Sequence, residues 1–443
     1  MKYFVAVVFT LLSTINAESY SSELAAPQSP WKSHMVRQLN GKAGEIKLPA
    51  QLQILTESWN RRVYHPYLVY MPEKERLLLV LGCELPHPVY GAMQMFSDDR
   101  GTTWSKPRYL HVDGQGKPDI GLSVGLTYFG DGKLTTTDGP PNRRVSKDYG
   151  ETWSTIPTPS LPNGKRLEEW APLLVDKDSI TGKVTRIVGS CFSTDKGEGS
   201  SAEDDGPWQG YIRFSADEGQ TWTDAVKVPQ WKGFNEVAII RAQNGDIVAA
   251  CRTDLPTGKE RELDHNCGLG VSISTDNGYT WSKMNMLYEF GRHHPSMVLL
   301  PNADIVMTYV VRLGYKGTPE GFPQFGIEAV VSHDHGKTWD LDHRYLLTTW
   351  SGAIKGSDAY WASSHTTSSV LLPDGFILTV FGTGYRVPPD AKSPGPMDVG
   401  LIRWQVNNEG LNSDQTVTQA PFDSDLRNQF DASAGNVGSR KKN

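Results

Sequence analysis

The sequence predicts an all-β fold, a six-bladed β-propeller, because two repeats alternate along its length. The first is an eight-residue pattern, Ser-x-Asp-x-Gly-x-Thr-Trp, with five copies that begin at Ser97, Ser146, Ser215, Ser274 and Ser332. The second is a pair of apolar strands joined by a turn, with six copies that begin at His65, Ser123, Trp170, Asn235, His294 and His365. Repeats of this length indicate one supersecondary unit stacked several times. Two hairpins per unit supply the four strands of a propeller blade.

The eight-residue pattern is a turn with a mechanical role. Its Asp can accept hydrogen bonds from nearby backbone amides, and its Gly can adopt positive φ, so the two residues close a tight turn. The Thr and Trp that follow favour a strand, and the Trp can pack between neighbouring units. We therefore expect these copies to be folding devices at the rim rather than catalytic parts.

The chain divides into four segments. Residues 1–17 carry a short apolar run that is typical of a secretory signal, which predicts a secreted or periplasmic protein. Residues 18–44 are expected to be an irregular lead-in, and residues 409–443 a polar tail. The propeller spans residues 45–408, and the segment from Glu45 is expected to close the ring as an outer strand.

Composition excludes several kinds of partner. The net charge is −6 and the one basic block is at the C-terminus, which argues against nucleic-acid binding. After the signal segment, no apolar run is long enough to span a membrane. The four cysteines include no Cys-x-x-Cys pair, so no metal or cofactor is expected. Cys251 and Cys267 are either a disulfide or buried thiols.

The candidate catalytic residues share one position in the repeat. The inner strands of a propeller surround a channel whose mouth forms a pocket. Nine residues before the hairpin turn, the inner strands carry Glu236 and His294, and His65 takes this position if one insertion is allowed. These three are predicted to be catalytic, since His and Glu can transfer protons near neutral pH. Ser123 and Thr366 are the corresponding hydroxyl residues. Because a proline follows each histidine, both histidines are expected to have extended backbones.

The two repeats together resemble the sialidase superfamily of Asp-box (BNR-repeat) propellers over roughly residues 45–405. In that family, a Glu that lies nine residues before the turn Gly activates a catalytic Tyr. An Arg that lies seven residues after the same Gly belongs to a triad that binds a sugar carboxylate. The resemblance assigns these roles to Glu236 and Arg252. A guanidinium fork suits a carboxylate, since it forms two parallel charge-assisted bonds.

The chain departs from that family's pattern at three positions. Tyr64 stands where the first Arg is expected, Thr366 where the Tyr is expected and Glu328 where the third Arg is expected. Arg312 could replace an Arg from a neighbouring loop. The predicted substrate-binding residues are Arg252, His365, Arg312, Tyr64 and Asp254.

The first functional hypothesis is a secreted exo-glycosidase that removes a terminal, acidic sugar from an extracellular glycan. A second carboxylate would pair with Glu236 at the spacing that glycoside hydrolysis requires, and the candidates are Glu84, Asp119, Glu168 and Glu169. The alternative is a polysaccharide lyase acting on a uronate, which the histidines suit. A non-catalytic glycan-binding propeller, with Trp170, Trp361 and Tyr64 as contacts, is a third possibility. An arabinanase-like activity ranks below these.

Overall fold

The structure is a computed structural model of the 443-residue chain. It describes residues 22–41, 44–84, 90–138, 142–161, 166–194, 208–253, 268–289, 291–312, 325–350, 366–387 and 395–407. The predicted signal segment, the predicted tail, and the candidates His365, Asp254 and Trp361 lie outside these ranges.

The described residues form β-strands and three short 3-10 helices. The first strands are β1 Lys32–Leu39, β2 Glu45–Ile54, β3 Val63–Met71, β4 Arg76–Glu84, β5 Tyr90–Ser97, β6 Arg108–Tyr109, β7 Val124–Gly130, β8 Lys133–Thr137, β9 Asn142–Ser146, β10 Ser154–Pro157, β11 Leu174–Lys177 and β12 Val184–Thr194. The remaining strands are β13 Trp208–Ser215, β14 Val226–Lys232, β15 Phe234–Arg241, β16 Ile247–Thr253, β17 Leu269–Ser274, β18 Asn285–Tyr288, β19 Arg292–Leu299, β20 Ile305–Val311, β21 Phe325–Ser332, β22 Tyr345–Trp350, β23 Thr367–Leu371, β24 Ile377–Thr383 and β25 Asp398–Trp404. The 3-10 helices are Glu57–Trp59, Pro72–Lys74 and Leu341–His343.

Four separate four-stranded antiparallel sheets follow one another along the chain. We call them blade one (β3–β6), blade two (β7–β10), blade three (β11–β14) and blade four (β15–β18). In each blade the first two strands are a hairpin predicted from the sequence, and β19–β20 and β23–β24 are the other two predicted hairpins. The all-β propeller arrangement is therefore confirmed.

The prediction of six separate blades is wrong as stated, since the other nine strands form one continuous sheet. Its order is β19-β20-β21-β22-β1-β2-β25-β24-β23. The cause is β1, which pairs with β2 along its whole length and also with β22 through Arg37 and Gln38. The expectation of an irregular lead-in is also wrong for residues 32–39, which form this bridging strand. As predicted, the strand that begins at Glu45 pairs with β25.

The Asp-box turns have the mechanical role that their sequence predicts. In the first box, the Asp99 carboxylate accepts from the Thr103 amide at 2.8 Å, and the Ser97 hydroxyl accepts from the Gly101 amide at 2.8 Å. Gly101 has a φ of 90°, a region that glycine enters without steric cost. The box tryptophans pack between blades. Trp153 of the second box, for example, lies in one apolar cluster with Leu78 of blade one.

A central channel runs between the innermost strands. Its wider part, about 500 Å³, is lined by residues of β3, β7, β11, β15, β19 and β23. Residues near the starts of β15, β19 and β23 line a second, smaller cavity.

Among the described residues, none of the helices has the length and apolar character needed to span a membrane.

Candidate active site

The three predicted catalytic residues occupy equivalent bulges at the starts of innermost strands. His65 on β3, Glu236 on β15 and His294 on β19 have φ values of 49°, 44° and 51°. In each strand the pairing register shifts next to this residue. A bulge re-aims the side chain of its extra residue, and a left-handed non-glycine backbone costs of order 1–3 kcal/mol. The expectation of extended backbones at the two histidines is therefore wrong, because the bulge overrides the preference of a residue before proline.

Blade two has the same bulge with no side chain on it. Gly125 takes the equivalent position with a φ of 64°, beside a register shift on β7. Counting back from the turn assigned this position to Ser123, which is wrong by two residues because the turn of blade two, between the paired Gly130 and Lys133, is shorter than that of blade four, between the paired Arg241 and Ile247. Ser123 is fully buried, and its hydroxyl bonds to that of Thr136 at 2.7 Å.

Glu236 is the centre of the cluster. One of its carboxylate oxygens accepts from Arg252 Nη1 at 2.8 Å, and the other lies 2.7 Å from His294 Nδ1. The hairpin explains the first contact, because Arg252 on β16 pairs with the residue before Glu236. The second contact joins blade four to β19 and follows from the shared bulge position. The side chains of Glu236, Arg252 and His294 are only 10%, 11% and 8% exposed.

The protonation states of the cluster follow from burial and from the arginine. Burial alone would raise the pKa of Glu236, but Arg252 and the His294 contact outweigh it and lower the pKa to about 2. Burial lowers the pKa of His294 although Glu236 opposes the shift. Burial, assisted by neighbouring His294, lowers the pKa of His65 to about 3. At neutral pH the glutamate is therefore ionised and both histidines are neutral.

The tautomer of His294 follows from the charge of its partner. An ionised carboxylate can only accept a hydrogen bond, so the His294 nitrogen that faces Glu236 carries the proton. The other ring nitrogen, Nε2, is then the basic one.

Arg312 and Tyr67 complete the polar surroundings. Arg312 is 1% exposed, and its charge acts on both histidines, contributing to the lowered pKa of each. Tyr67 lies on β3, and burial together with the charge of Glu236 raises its pKa far above the usual range. The structure thus brings Arg312 to the cluster, as the sequence suggested, and adds a protonated tyrosine.

A small cavity lies against the cluster. Its volume is about 20 Å³, which is room for about one water molecule. Glu236 and His294 line one side of it, and Tyr67, Trp170 and Pro172 line another. His65 and Arg252 belong to the cluster but do not line this cavity.

The remaining substrate-binding candidates have different positions. Tyr64 is half-buried, and its ring lies edge-on to His65 at 5.6 Å and packs over Gly82. Thr366 lines the cavity and donates to the Pro66 carbonyl at 3.4 Å. His365 and Asp254 lie outside the described residues, so their roles stay predictions.

Glu84, Asp119 and Glu169 are engaged elsewhere, whereas burial raises the pKa of Glu168, which does not line the cavity beside Glu236. Glu84 pairs with Arg62 at 3.4 Å, and Asp119 lies 2.8 Å from His111. Glu169 is completely buried between the guanidinium groups of two arginines.

Glu328 holds no substrate position either. Its two oxygens accept from Arg292 at 3.1 and 3.2 Å in the interior of the nine-stranded sheet. At the position of the family's third arginine, this chain therefore has an internal ion pair.

One group of side chains could offer ligands to a metal ion. Glu236, His293 and His294 have ligand atoms within 4.8 Å of one another. The guanidinium of Arg252 already neutralises the carboxylate, and Arg312 adds a second positive charge close by. A dication at these atoms would have to displace the Glu236–Arg252 ion pair and lie close to the charge of Arg312.

Sequence reasoning missed two residues of the cavity wall. Tyr67 and Trp170 were assigned to the strand pattern or to a binding surface rather than to the catalytic cluster. Tyr67 comes two residues after His65, next to the register shift of β3, and it lines the cavity beside Glu236 and His294. The alternation of a regular strand gives no signal for such a shift.

Comparison with known proteins supports the family. A BNR repeat-like domain matches residues 163–345. A sialidase from Clostridium perfringens is 24% identical over 214 residues, which is 44% of this chain and 51% of the relative. The chain thus spans about half the length of the curated relative that it matches.

Solved structures share the fold at low identity. A protein of unknown function from Dyadobacter fermentans aligns with a TM-score of 0.56 and 17% identity over 78% of this chain and 96% of that one. The endosialidase of phage phi92 aligns with a TM-score of 0.51 and 10% identity over 84% of this chain and 73% of that one. Together with the five Asp-boxes and the hairpin repeats, these matches support the resemblance to BNR-repeat propellers of the sialidase superfamily.

Proposed function

We propose that this protein is an exported enzyme that cleaves a glycan next to a carboxylate-bearing sugar. The observation that carries the proposal is the convergence of His65, Glu236 and His294, each on a left-handed bulge, at one arginine-containing cluster. Strained backbone at three equivalent positions is typical of a functional site. The sialidase relative and the sialidase-like fold support a glycan as the substrate.

His294 is the proton-transfer group in this proposal. Glu236 orients the imidazole and stabilises its protonated form, so that Nε2 can accept a proton and later return it. Glu236 itself is a poor general acid, because a carboxyl with a pKa of about 2 is ionised at neutral pH. The glutamate therefore acts through the histidine.

Arg252 and Arg312 bind the acidic sugar. Both guanidinium groups lie in the cluster with Glu236 and His294, and a guanidinium fork suits a sugar carboxylate. His65 stays neutral and faces the same charges, so it can accept or donate a hydrogen bond without repelling a cation or an anion.

Hydrolysis is the first candidate for the reaction. The cavity beside Glu236 and His294 has room for about one water molecule. His294 would take a proton from that water as it attacks the sugar. This reaction agrees with the sialidase-like fold.

Elimination is the second candidate, and the charge state of Glu236 favours it. A two-carboxylate hydrolase needs one protonated acid. Glu236 is ionised, the buried Glu169 and Glu328 are held by arginines, and Glu168, whose pKa burial raises, does not line the cavity beside Glu236. A lyase needs a histidine base and a cation against the uronate carboxylate, and the cluster has both.

A panel of glycans separates the two reactions and tests the proposal. The full chain is incubated with sialyllactose, uronate-containing polysaccharides, and neutral arabinan and rhamnan as controls. Reducing ends and ultraviolet absorbance are both recorded. New reducing ends without absorbance indicate hydrolysis, and both signals together indicate elimination of a uronate. Cleavage of the neutral glycans alone, or of none, would contradict the proposal.

Two further proposals concern architecture and export. We propose that the nine-stranded sheet counts as two blades joined by β1, since six innermost strands line the channel. The apolar run in residues 1–17 supports export. Sequencing the N-terminus of the protein recovered from outside the cytoplasm would test export.

A further inference from the structure

The innermost strands differ in whether their bulge carries a reactive side chain. Reactive residues stand on the bulges of β3, β15 and β19, but the bulge of β7 carries Gly125. A Cβ on Gly125 would lie 2.8 Å from the carbonyl oxygen of Ala171, so no side chain fits there. The wall formed by blades two and three is therefore bare where the other strands carry reactive groups.

Trp170 stands beside this bare wall. It lines the small cavity together with Glu236 and His294, yet it is only partly buried. Its ring lies edge-on to His65, with ring centres 5.1 Å apart. A large aromatic surface is thus partly open to solvent at the edge of the acid–base cluster.

The backbone around Trp170 is fixed from three blades. Its carbonyl accepts from the Tyr67 hydroxyl of blade one at 2.6 Å. Leu173, three residues later, donates its amide to Thr127 of blade two at 2.8 Å. The preceding residue, Glu169, is held by two arginines.

Those arginines are Arg143 of blade two and Arg213 of blade three, and both are almost fully buried. Burying such charges is unfavourable unless pairing offsets it. The paired network holds the backbone at Glu169, and this fixes the position of the adjacent Trp170.

We infer that Trp170 is the platform of a second sugar subsite, on which the pyranose next to the acidic sugar stacks. This inference rests on the proposed function and adds the position of the neighbouring sugar. Sugar rings present an apolar face, and binding pockets commonly offer such ligands a fixed aromatic surface beside a few polar groups.

Binding measurements on single and linked sugars test the subsite. Calorimetry with the full chain uses N-acetylneuraminic acid and glucuronic acid, their disaccharides, and neutral disaccharides. The variants are Trp170→Ala, Trp170→Phe and the control Tyr279→Ala, which removes an aromatic that is 68% exposed in an Asp-box. Thermal unfolding of each variant checks that it folds.

The expected result is a selective loss for the linked sugars. Trp170→Ala should weaken disaccharides about tenfold and single sugars by less than about twofold, since one aromatic contact is of that size. Trp170→Phe should recover most of the affinity, and Tyr279→Ala should change nothing. Equal weakening of single and linked sugars, or no weakening, overturns the subsite.

The outcomes also separate the subsite from the proposed function. If wild-type protein binds only neutral disaccharides, the acidic substrate is wrong, and the effect of Trp170→Ala on those disaccharides still decides the subsite. If wild-type protein binds acidic sugars and Trp170→Ala matches it, the subsite alone is wrong. If wild-type protein binds no sugar, both are wrong.

Discussion

Two buried glutamates, each paired with an arginine, have different surroundings. Glu236 bonds to Arg252 and also to His294, has a left-handed backbone and lines a cavity. Glu328 has both oxygens bonded to Arg292, and it does not line the cavity beside Glu236. In both cases burial raises the carboxyl pKa, but the positive charges and hydrogen-bond donors around it together lower the pKa below its usual value.

The difference shows what marks a site in this molecule. Burial, ion pairing and a shifted pKa are common to both glutamates, so none of them distinguishes catalysis from architecture. Glu236 alone combines backbone strain, a titratable neighbour and accessible space. The comparison leads to variants that separate loss of activity from loss of stability.

The largest effect is expected for His294→Asn. Asparagine tolerates positive φ, so the fold should survive while the proton-transfer group is lost. Turnover of the best glycan in the panel should fall by about 10²–10⁴-fold, measured as initial rates. His333→Asn is the matched control, because His333 pairs with Asp304 beside a different cavity. Equal losses in both variants would count against His294.

Glu328→Gln should act on stability instead. It leaves Arg292 buried without its charged partner, which lowers the free energy of unfolding by about 3–5 kcal/mol. Denaturant titration measures this loss, and turnover per folded molecule should stay close to that of wild type. A variant that keeps its stability but loses turnover would mean that Glu328, like Glu236, acts in the reaction.

His65 makes the cluster sensitive to acid. Its pKa is 6.5 in an unfolded chain and about 3 in the fold, so between these values unfolding takes up a proton that the folded protein does not bind. Stability should therefore fall as the pH drops from 6.5 toward 3, by about 1.4 kcal/mol per pH unit from this residue. His65→Asn should make that dependence shallower.

The pH range distinguishes His65 from Glu236. The Glu236 contribution is present above about pH 4.5 and is lost as the pH falls through about 2, so the range from 6.5 to 4.5 reports histidines. Unfolding curves of wild type and His65→Asn across that range provide the measurement. Parallel curves would mean that His65 is protonated in the fold.

The smallest effect is expected for Ser123→Ala. The variant breaks the hydroxyl contact with Thr136 and should cost about 1 kcal/mol of stability. Turnover should stay within about twofold of wild type, because Gly125 and not Ser123 occupies the bulge position. A large loss of turnover would mean that Ser123 takes part in the reaction.

Much of the fold was predictable because its signals are local. The Asp-boxes and the six strand pairs fix the turns and hairpins, and equal spacing from the turn brings Glu236 and His294 together. The bridging strand β1 gave no such signal, since only three of its residues are apolar and its partners lie far away in the sequence.

The site was predictable only in part because it depends on bulges. A bulge has no sequence marker, and the count from the turn failed at Ser123 because the β7–β8 turn is shorter than the β15–β16 turn. The position of Tyr67 was not predictable for a related reason. A regular strand places Tyr67 on the same face as His65, but it does not predict that Tyr67 shares a cavity with Glu236. Spacing therefore located the cluster but not its walls.

The most direct test of the account is the turnover of Glu236→Gln on the glycan that wild type cleaves best. The account predicts a loss of at least about a hundredfold, with a melting temperature within a few degrees of wild type. Turnover equal to that of wild type would contradict it, because the Glu236–His294 contact would then have no part in the reaction.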